Sequence, residues 1–386
     1  MLAVLAPGQG SQKPGFLTPW LTLPGVEARL RWWSVLAGVD LVHLGTEAGA
    51  EEIKDTAKTQ PLLVAAALVT AEQLPMHDAA VFAGHSVGEL AASTLAGVFS
   101  PEAAVTLAAV RGREMAAACA LEPTGMSAIL GGDPDEVLAT VEAAGLYPAN
   151  RNGAGQVVAA GALSGLEKLA ANPPARARII GLQVAGAFHT PYMAPAEEAL
   201  AAIAAGVTTA APAKLLLSNR DGSVVDHGPS MLQRLVKQVT APVRWDLCMA
   251  ALVDLGVTAV IELAPAGTLA GLVKRTIKGI EIVSVNTPDD LAAARDLITR
   301  HGSAPVHEPH QQFSVVVATT AGTFTPVEGL VEGTEVSDGQ RIGAVQTGQG
   351  PIDVTTHGAG VLAEWLVATD EPVAPGQPLA RIGDQL

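Results

Sequence analysis

Five short apolar runs recur between residues 1 and about 290: LAVLAPG at 2–8, AVFAGH at 80–85, KLLLSN at 214–219, AVIELAP at 259–265 and EIVSVN at 281–286. Each is too short for a helix and is closed by polar or turn-forming residues, as in strands buried on both faces. Between them lie Ala- and Leu-rich stretches with helical spacing, such as VGELAASTLAGVFS at 87–100, whose Val87, Leu90 and Leu95 form one apolar stripe. Strands alternating with helices predict an α/β domain on a parallel sheet.

The pattern changes twice. Residues 125–188 carry three β-like segments, GMSAILGG, GQVVAAGAL and ARIIGLQVAGA, separated by the amphipathic stretches DPDEVLATVEAAG and LSGLEKLAAN. This predicts a β-α-β-α-β inset, a small ferredoxin-like subdomain, with the α/β catalytic domain formed by 1–124 and 189–300. HGSAPVHEPHQQ at 301–312 is polar, contains Pro and shows no periodicity, so it reads as a linker. Its histidines, His301, His307 and His310, have neither a rigid scaffold nor cysteine partners, and no metal site is expected there. From 313 to 386 the chain repeats itself: AGTFTPVEGLVEGTEVSDGQRIG from Ala321 and AGVLAEWLVATDEPVAPGQPLARIG from Ala359 are offset by 38 residues. Two such copies predict a β-sandwich of two interlocked halves.

Bulk properties narrow the function. Apolar residues make up 49% of the 386-residue chain and charged residues 16%, but no unbroken apolar run approaches the roughly 18 residues of a membrane span. No membrane association is expected, and MLAVLAPGQG reads as a first buried strand instead of a signal peptide. A net charge of −15 argues against nucleic acid. The one dense basic run, KRTIK at 274–278, is a helix end or a local landing site for an acidic partner. Two cysteines, Cys119 and Cys248, make no disulfide framework and fit a reducing, cytoplasmic setting.

Chemistry enters with Gly84-His85-Ser86-Val87-Gly88, a G-x-S-x-G pattern between a strand candidate and a helix candidate. A serine on that turn exposes its hydroxyl, and the first helical N–H groups face any oxyanion formed on it. PGQGSQ at 7–12 follows the first strand, AAVRGREM puts Arg111 on a helix 25 residues after Ser86, and AFHTPYM puts His189 where the chain leaves the inset.

PGQGSQ, TQPLLVAAAL, GHSVGELAA, RGREM, GAFHTPYM and QVTAPVRW occur in the order shown by the malonyl-CoA:acyl carrier protein transacylase family, which residues 1–290 resemble. The resemblance implies that Ser86 is the acylated nucleophile and His189 its base. It implies further that Gln9 and Val87 supply oxyanion-hole amides, that Gln238 holds the imidazole through its backbone carbonyl, and that Arg111 pairs with the malonyl carboxylate. The implied partners are malonyl-CoA and acyl carrier protein, with no cofactor and no metal. Val87 and Phe188 stand where methylmalonyl-using relatives carry a bulky polar residue and a serine, so the resemblance implies malonyl selectivity. Two alternatives are a serine esterase of α/β-hydrolase type, which orders its partners Ser, acid, His, and a degenerate scaffold, against which the intact Ser86, His189 and Arg111 speak.

The tail, from GQRIGAVQTGQG to PLARIG, resembles a biotinyl/lipoyl attachment domain. Attachment requires a lysine about eleven residues before the position of Gly360, where this chain has Gln349, and the last lysine of the chain is Lys278. No biotin or lipoyl group is therefore expected. The tail reads as an interaction module for another protein or for its own catalytic domain, with two arginines against nine carboxylates, 2 − 9 = −7.

Overall fold

The computed structural model describes residues 1–302 and 314–383, and the chain divides into two compact units, Met1–Pro305 and Val306–Leu386. The first unit lays down β1 (Leu2–Ala6), β2 (Val81–Gly84), β3 (Thr124–Gly131), β4 (Tyr147–Gly153), β5 (Gln156–Ala162), β6 (Ala177–Gly181), β7 (Leu215–Leu216), β8 (Ala259–Glu262) and β9 (Glu281–Ser284).

The five apolar runs of the sequence become one parallel sheet in the order β7-β2-β1-β8-β9. β1 lies at its centre, and side-chain alternation feeds both of its faces. Leu2, Val4 and Ala6 join a core with Leu30, Trp33, Leu63 and Val105. Ala3 and Leu5 join the opposite core with Trp245, Met249, Leu252 and Leu269. Burial on both faces is why β1, β2 and β8 read as apolar runs.

The inset carries one strand more than the sequence predicts, so the order is β-α-β-β-α-β. β4, the addition, has the sequence YPANRNG, whose Pro and Asn residues hide it from a propensity reading. The antiparallel sheet runs β4-β5-β3-β6, and the helices Pro134–Ala143 and Leu163–Ala171 cover one face through Val137, Val141 and Leu169. Met126, Ala128 and Val158, on the other face, point to the large cavity described below.

A second correction concerns the linker. His301 is the last residue of the helix Leu291–His301, its ring bonded to Glu281 (2.9 Å) and Thr258 (2.9 Å). Linker residues 303–312, with His307 and His310, lie outside the described residues.

The second unit comprises β10 (Ser314–Val317), β11 (Gly322–Pro326), β12 (Glu335–Val336), β13 (Arg341–Thr347), β14 (Gly350–Thr355), β15 (Gly360–Trp365), β16 (Glu371–Val373) and β17 (Pro378–Gly383). They form two antiparallel sheets, β10-β17-β15-β12 and β14-β13-β11-β16, around Phe324, Ile342, Leu362 and Leu379. Exchanging β10 with β14, β17 with β13, β15 with β11 and β12 with β16 turns one order into the other, which is the quasi-two-fold that the sequence repeat implies. Gln349 sits in the two-residue turn joining β13 to β14, where Thr347 pairs with Gly350.

Among the described residues no helix is long and apolar enough to cross a membrane, and no group of three or more His, Cys, Asp or Glu side chains is placed to hold a metal ion.

Candidate active site

β2 ends at Gly84 and the helix Gly88–Leu95 begins four residues on, so Ser86 occupies a sharp strand-to-helix turn with φ 53°. A left-handed backbone at a non-glycine residue costs on the order of 1 kcal/mol or more and persists only where its surroundings hold it. The flanking glycines allow the close packing. A Cβ on Gly84 would stand 2.1 Å from the Gly88 backbone, and one on Gly88 would stand 2.2 Å from the Ala6 carbonyl oxygen of β1.

His189 follows the inset, also at positive φ (61°), and is 4% exposed. Its Nε2 lies 2.8 Å from Ser86 Oγ and its Nδ1 2.8 Å from the Gln238 backbone carbonyl. A carbonyl only accepts, so Nδ1 carries the ring proton and Nε2 presents a lone pair to the serine hydroxyl. Burial, followed by the positive charge of Arg111, pushes His189 down to about 3 from its ordinary 6.5.

Arg111 projects from the helix Pro101–Cys119 and is 3% exposed. Its Nη1 donates to Gln60 Oε1 (2.7 Å), and its Nη2 donates to Gln238 Oε1 (2.9 Å) and Ser86 Oγ (3.2 Å). All these partners are neutral, and among the described residues no carboxylate pairs with it directly. A guanidinium so buried, with only neutral groups on its N–H donors, favours an arriving anion.

Ser86, His189, Arg111, Gln9, Val87 and Phe188 all line one cavity of about 470 Å³. The backbone N–H groups of Gln9 and Val87 have no hydrogen-bond partner among the described residues, so both are available to an oxyanion. The Gln9 side chain points elsewhere, donating to Thr56 Oγ1 at 3.2 Å. Gln238 reaches the site twice, with its carbonyl on His189 and its side chain on Arg111.

Sequence reasoning missed three members of this constellation. Gln60 holds Arg111, while Glu89 and Asn219 lie beneath the elbow, 2% and 0% exposed. Glu89 accepts from the Asn219 N–H (2.6 Å) and from Gln238 Nε2; burial pushes its carboxyl up to about 8, opposed by the Asn219 N–H and by Arg111. The available signal was a glutamate within an otherwise small and apolar helix. His85, between the elbow's first glycine and Ser86, bonds Asn152 Oδ1 (2.9 Å) and meets Trp245 edge-on. The esterase alternative needs an acid on the imidazole, and the Gln238 carbonyl occupies that place.

A serine at a strand–helix elbow, an imidazole on its hydroxyl and two free amides beside it define a serine-dependent acyl-transfer site. The chain belongs to the acyl transferase family, whose domain model matches residues 5–299. It is 55% identical over 296 residues to the malonyl CoA-acyl carrier protein transacylase of Mycobacterium bovis, covering 75% of this chain and 98% of that protein. The crystal structure of MCAT from Mycobacterium tuberculosis superposes with a TM-score of 0.75 at 54% identity, covering 76% of this chain and 99% of that one. A malonyl-transacylase solved in complex with its type II PKS acyl-carrier protein matches at 30% identity and TM-score 0.72, over 76% of this chain and 99% of that one. The family match ends before the second unit begins.

Proposed function

We propose that this acyltransferase moves malonyl from coenzyme A to the phosphopantetheine thiol of acyl carrier protein, in the cytoplasm, through a malonyl ester on Ser86. The observation that carries the reading is that one hydroxyl, Ser86 Oγ, lies within hydrogen-bond reach of both a base and a carboxylate-binding cation, His189 Nε2 at 2.8 Å and Arg111 Nη2 at 3.2 Å. His189 takes the Ser86 proton as Oγ attacks the thioester carbon, the Gln9 and Val87 amides receive the oxyanion, and the departing CoA thiolate takes that proton from His189. In the second half-reaction His189 deprotonates the carrier thiol, sulfur attacks the ester carbon, and the proton returns to Ser86. Arg111 holds the malonyl carboxylate throughout, bidentately where its fork allows. Phe188, beside the cavity, leaves little room for a branching methyl, a discrimination worth ~1–3 kcal/mol. The helix Thr268–Thr276, whose Thr268, Leu269 and Leu272 line the cavity, ends in Lys274 and Arg275 and offers an acidic carrier a landing site.

The depressed His189 sets a pH expectation. Its neutral form does the work and exists above about 3, so acidification from pH 7 to 5, below the Glu89 carboxyl at about 8, leaves the base competent. kcat/KM for acylation by malonyl-CoA, which reports the free enzyme, is expected to stay flat over that range. A fall centred near 6.5 would restore an ordinary imidazole to the role.

The second unit is read as a biotinyl/lipoyl-like sandwich that has lost its attachment chemistry: the hairpin-tip position holds Gln349, and an amide cannot form the link that a lysine amine forms. The protein is expected to give no streptavidin or anti-lipoyl signal. Because the first unit closes both of its cores with its own residues, protein truncated near residue 300, just past the helix that ends at His301, is expected to fold and keep transfer activity. Insoluble or inactive truncated protein would make the second unit part of the catalytic fold.

A further inference from the structure

We propose that Asn219 is a positioning residue for acyl transfer, its side-chain amide standing in for a peptide group as the last rung of the parallel sheet beneath Ser86. The rungs between β7 and β2 run Leu215 N–H to the Ala80 carbonyl (3.1 Å) and Leu217 N–H to the Phe82 carbonyl (3.0 Å). The next in that two-residue rhythm belongs to Asn219 and Gly84, and it is made by the side chain: Asn219 Nδ2 donates to the Gly84 carbonyl at 2.7 Å. Asn219 Oδ1 in turn accepts from Ser86 N–H at 2.8 Å. One residue of a parallel strand bonds the carbonyl before and the N–H after the residue opposite it; Asn219 does this around His85 with its side chain.

The substitution releases the backbone of Asn219 for other work. Its N–H donates to Glu89 Oε1 and its carbonyl accepts from Arg244 N–H (2.7 Å). Its Oδ1 also takes a bond from Gln238 Nε2 (3.3 Å), the amide whose other end holds Arg111 and whose backbone holds His189. The backbone groups on either side cannot flip, so the amide's orientation is fixed. Asparagine alone meets the geometry: aspartate lacks the donor for Gly84, glutamine is one carbon too long, and alanine leaves the half-buried Ser86 N–H without its partner. The left-handed Ser86 is thus held from both sides, its N–H by this rung of sheet and its carbonyl by the Glu89 N–H of the helix that follows (3.0 Å).

The inference rests on Ser86 as the acylated residue. The test compares Asn219→Asp and Asn219→Ala with wild type in acylation by malonyl-CoA, after circular dichroism confirms that each is folded at the assay temperature. A misplaced nucleophile costs up to about 100-fold in rate. Both variants are expected to lose about 10- to 100-fold in kcat with KM changed less than about threefold, aspartate faring no better than alanine despite its equal size. A folded variant within about twofold of wild-type kcat, or a loss confined to KM, would overturn the assignment. A second measurement needs no variant: hydrogen exchange at the Ser86 amide of wild-type protein is expected to be as slow as in the interior of β2, and exchange at loop rates would refute the rung. A malonyl adduct surviving Ser86→Ala would instead sink the nucleophile reading while leaving the exchange result standing.

Discussion

Ser86→Ala is expected to abolish the malonyl adduct that intact-mass spectrometry detects after mixing with malonyl-CoA, and to lower transfer to acyl carrier protein by roughly 10⁴-fold or more. Removing Oγ takes away the atom on which the proposed ester forms. It also empties the position between His189 Nε2 and Arg111 Nη2, 2.8 and 3.2 Å away. The remaining groups still bind the thioester and polarise its carbonyl, but an acyl group has nowhere to rest between donor and acceptor. An adduct of unchanged stoichiometry on the variant would place the nucleophile elsewhere.

Arg111→Ala is expected to lower malonyl transfer by about 10²–10³-fold, the ~3–4 kcal/mol of a buried charge-assisted pair, while acetyl transfer falls less or rises. An acetyl group meets a buried unpaired cation in the wild type and none in the variant. Part of the loss is structural, since Gln60 Oε1 and Gln238 Oε1 each lose a donor. The ratio of malonyl to acetyl rates separates the contributions, because misplacing Gln238 slows both acyl groups equally. Equal losses would make Arg111 a structural residue.

The parallel sheet was readable in the sequence because its central strands are buried on both faces, and burial leaves a mark that needs no partner to interpret. Ser86, Arg111 and His189 were readable because each stands in an ordered motif. β4 was not, because its buried polar residues serve the cavity: Asn150 and Asn152 line it, and a strand that feeds a polar site gives up the apolar alternation that marks strands. Asn219 was hidden for a related reason. Its place is set by where β7 stops and β2 continues, a tertiary fact, and as text it is only the asparagine that ends an apolar run. The linker began too early because HGSAP reads as polar coil, whereas His301 closes a helix against Glu281.

The two-fold in the second unit is broken at one place. The turn Gly348–Gln349 joins β13 to β14, and its counterpart under the exchange is the space between the end of β17 and the start of β10, where Ser314 faces Ile382 without a connection between them. In topological terms the module is a ring with two equivalent joints, one closed and one open. The chain enters the module at the open joint, where entry interrupts no rung of either sheet, and the closed joint, Gly348–Gln349, constrains its own sequence only through what a two-residue turn accepts.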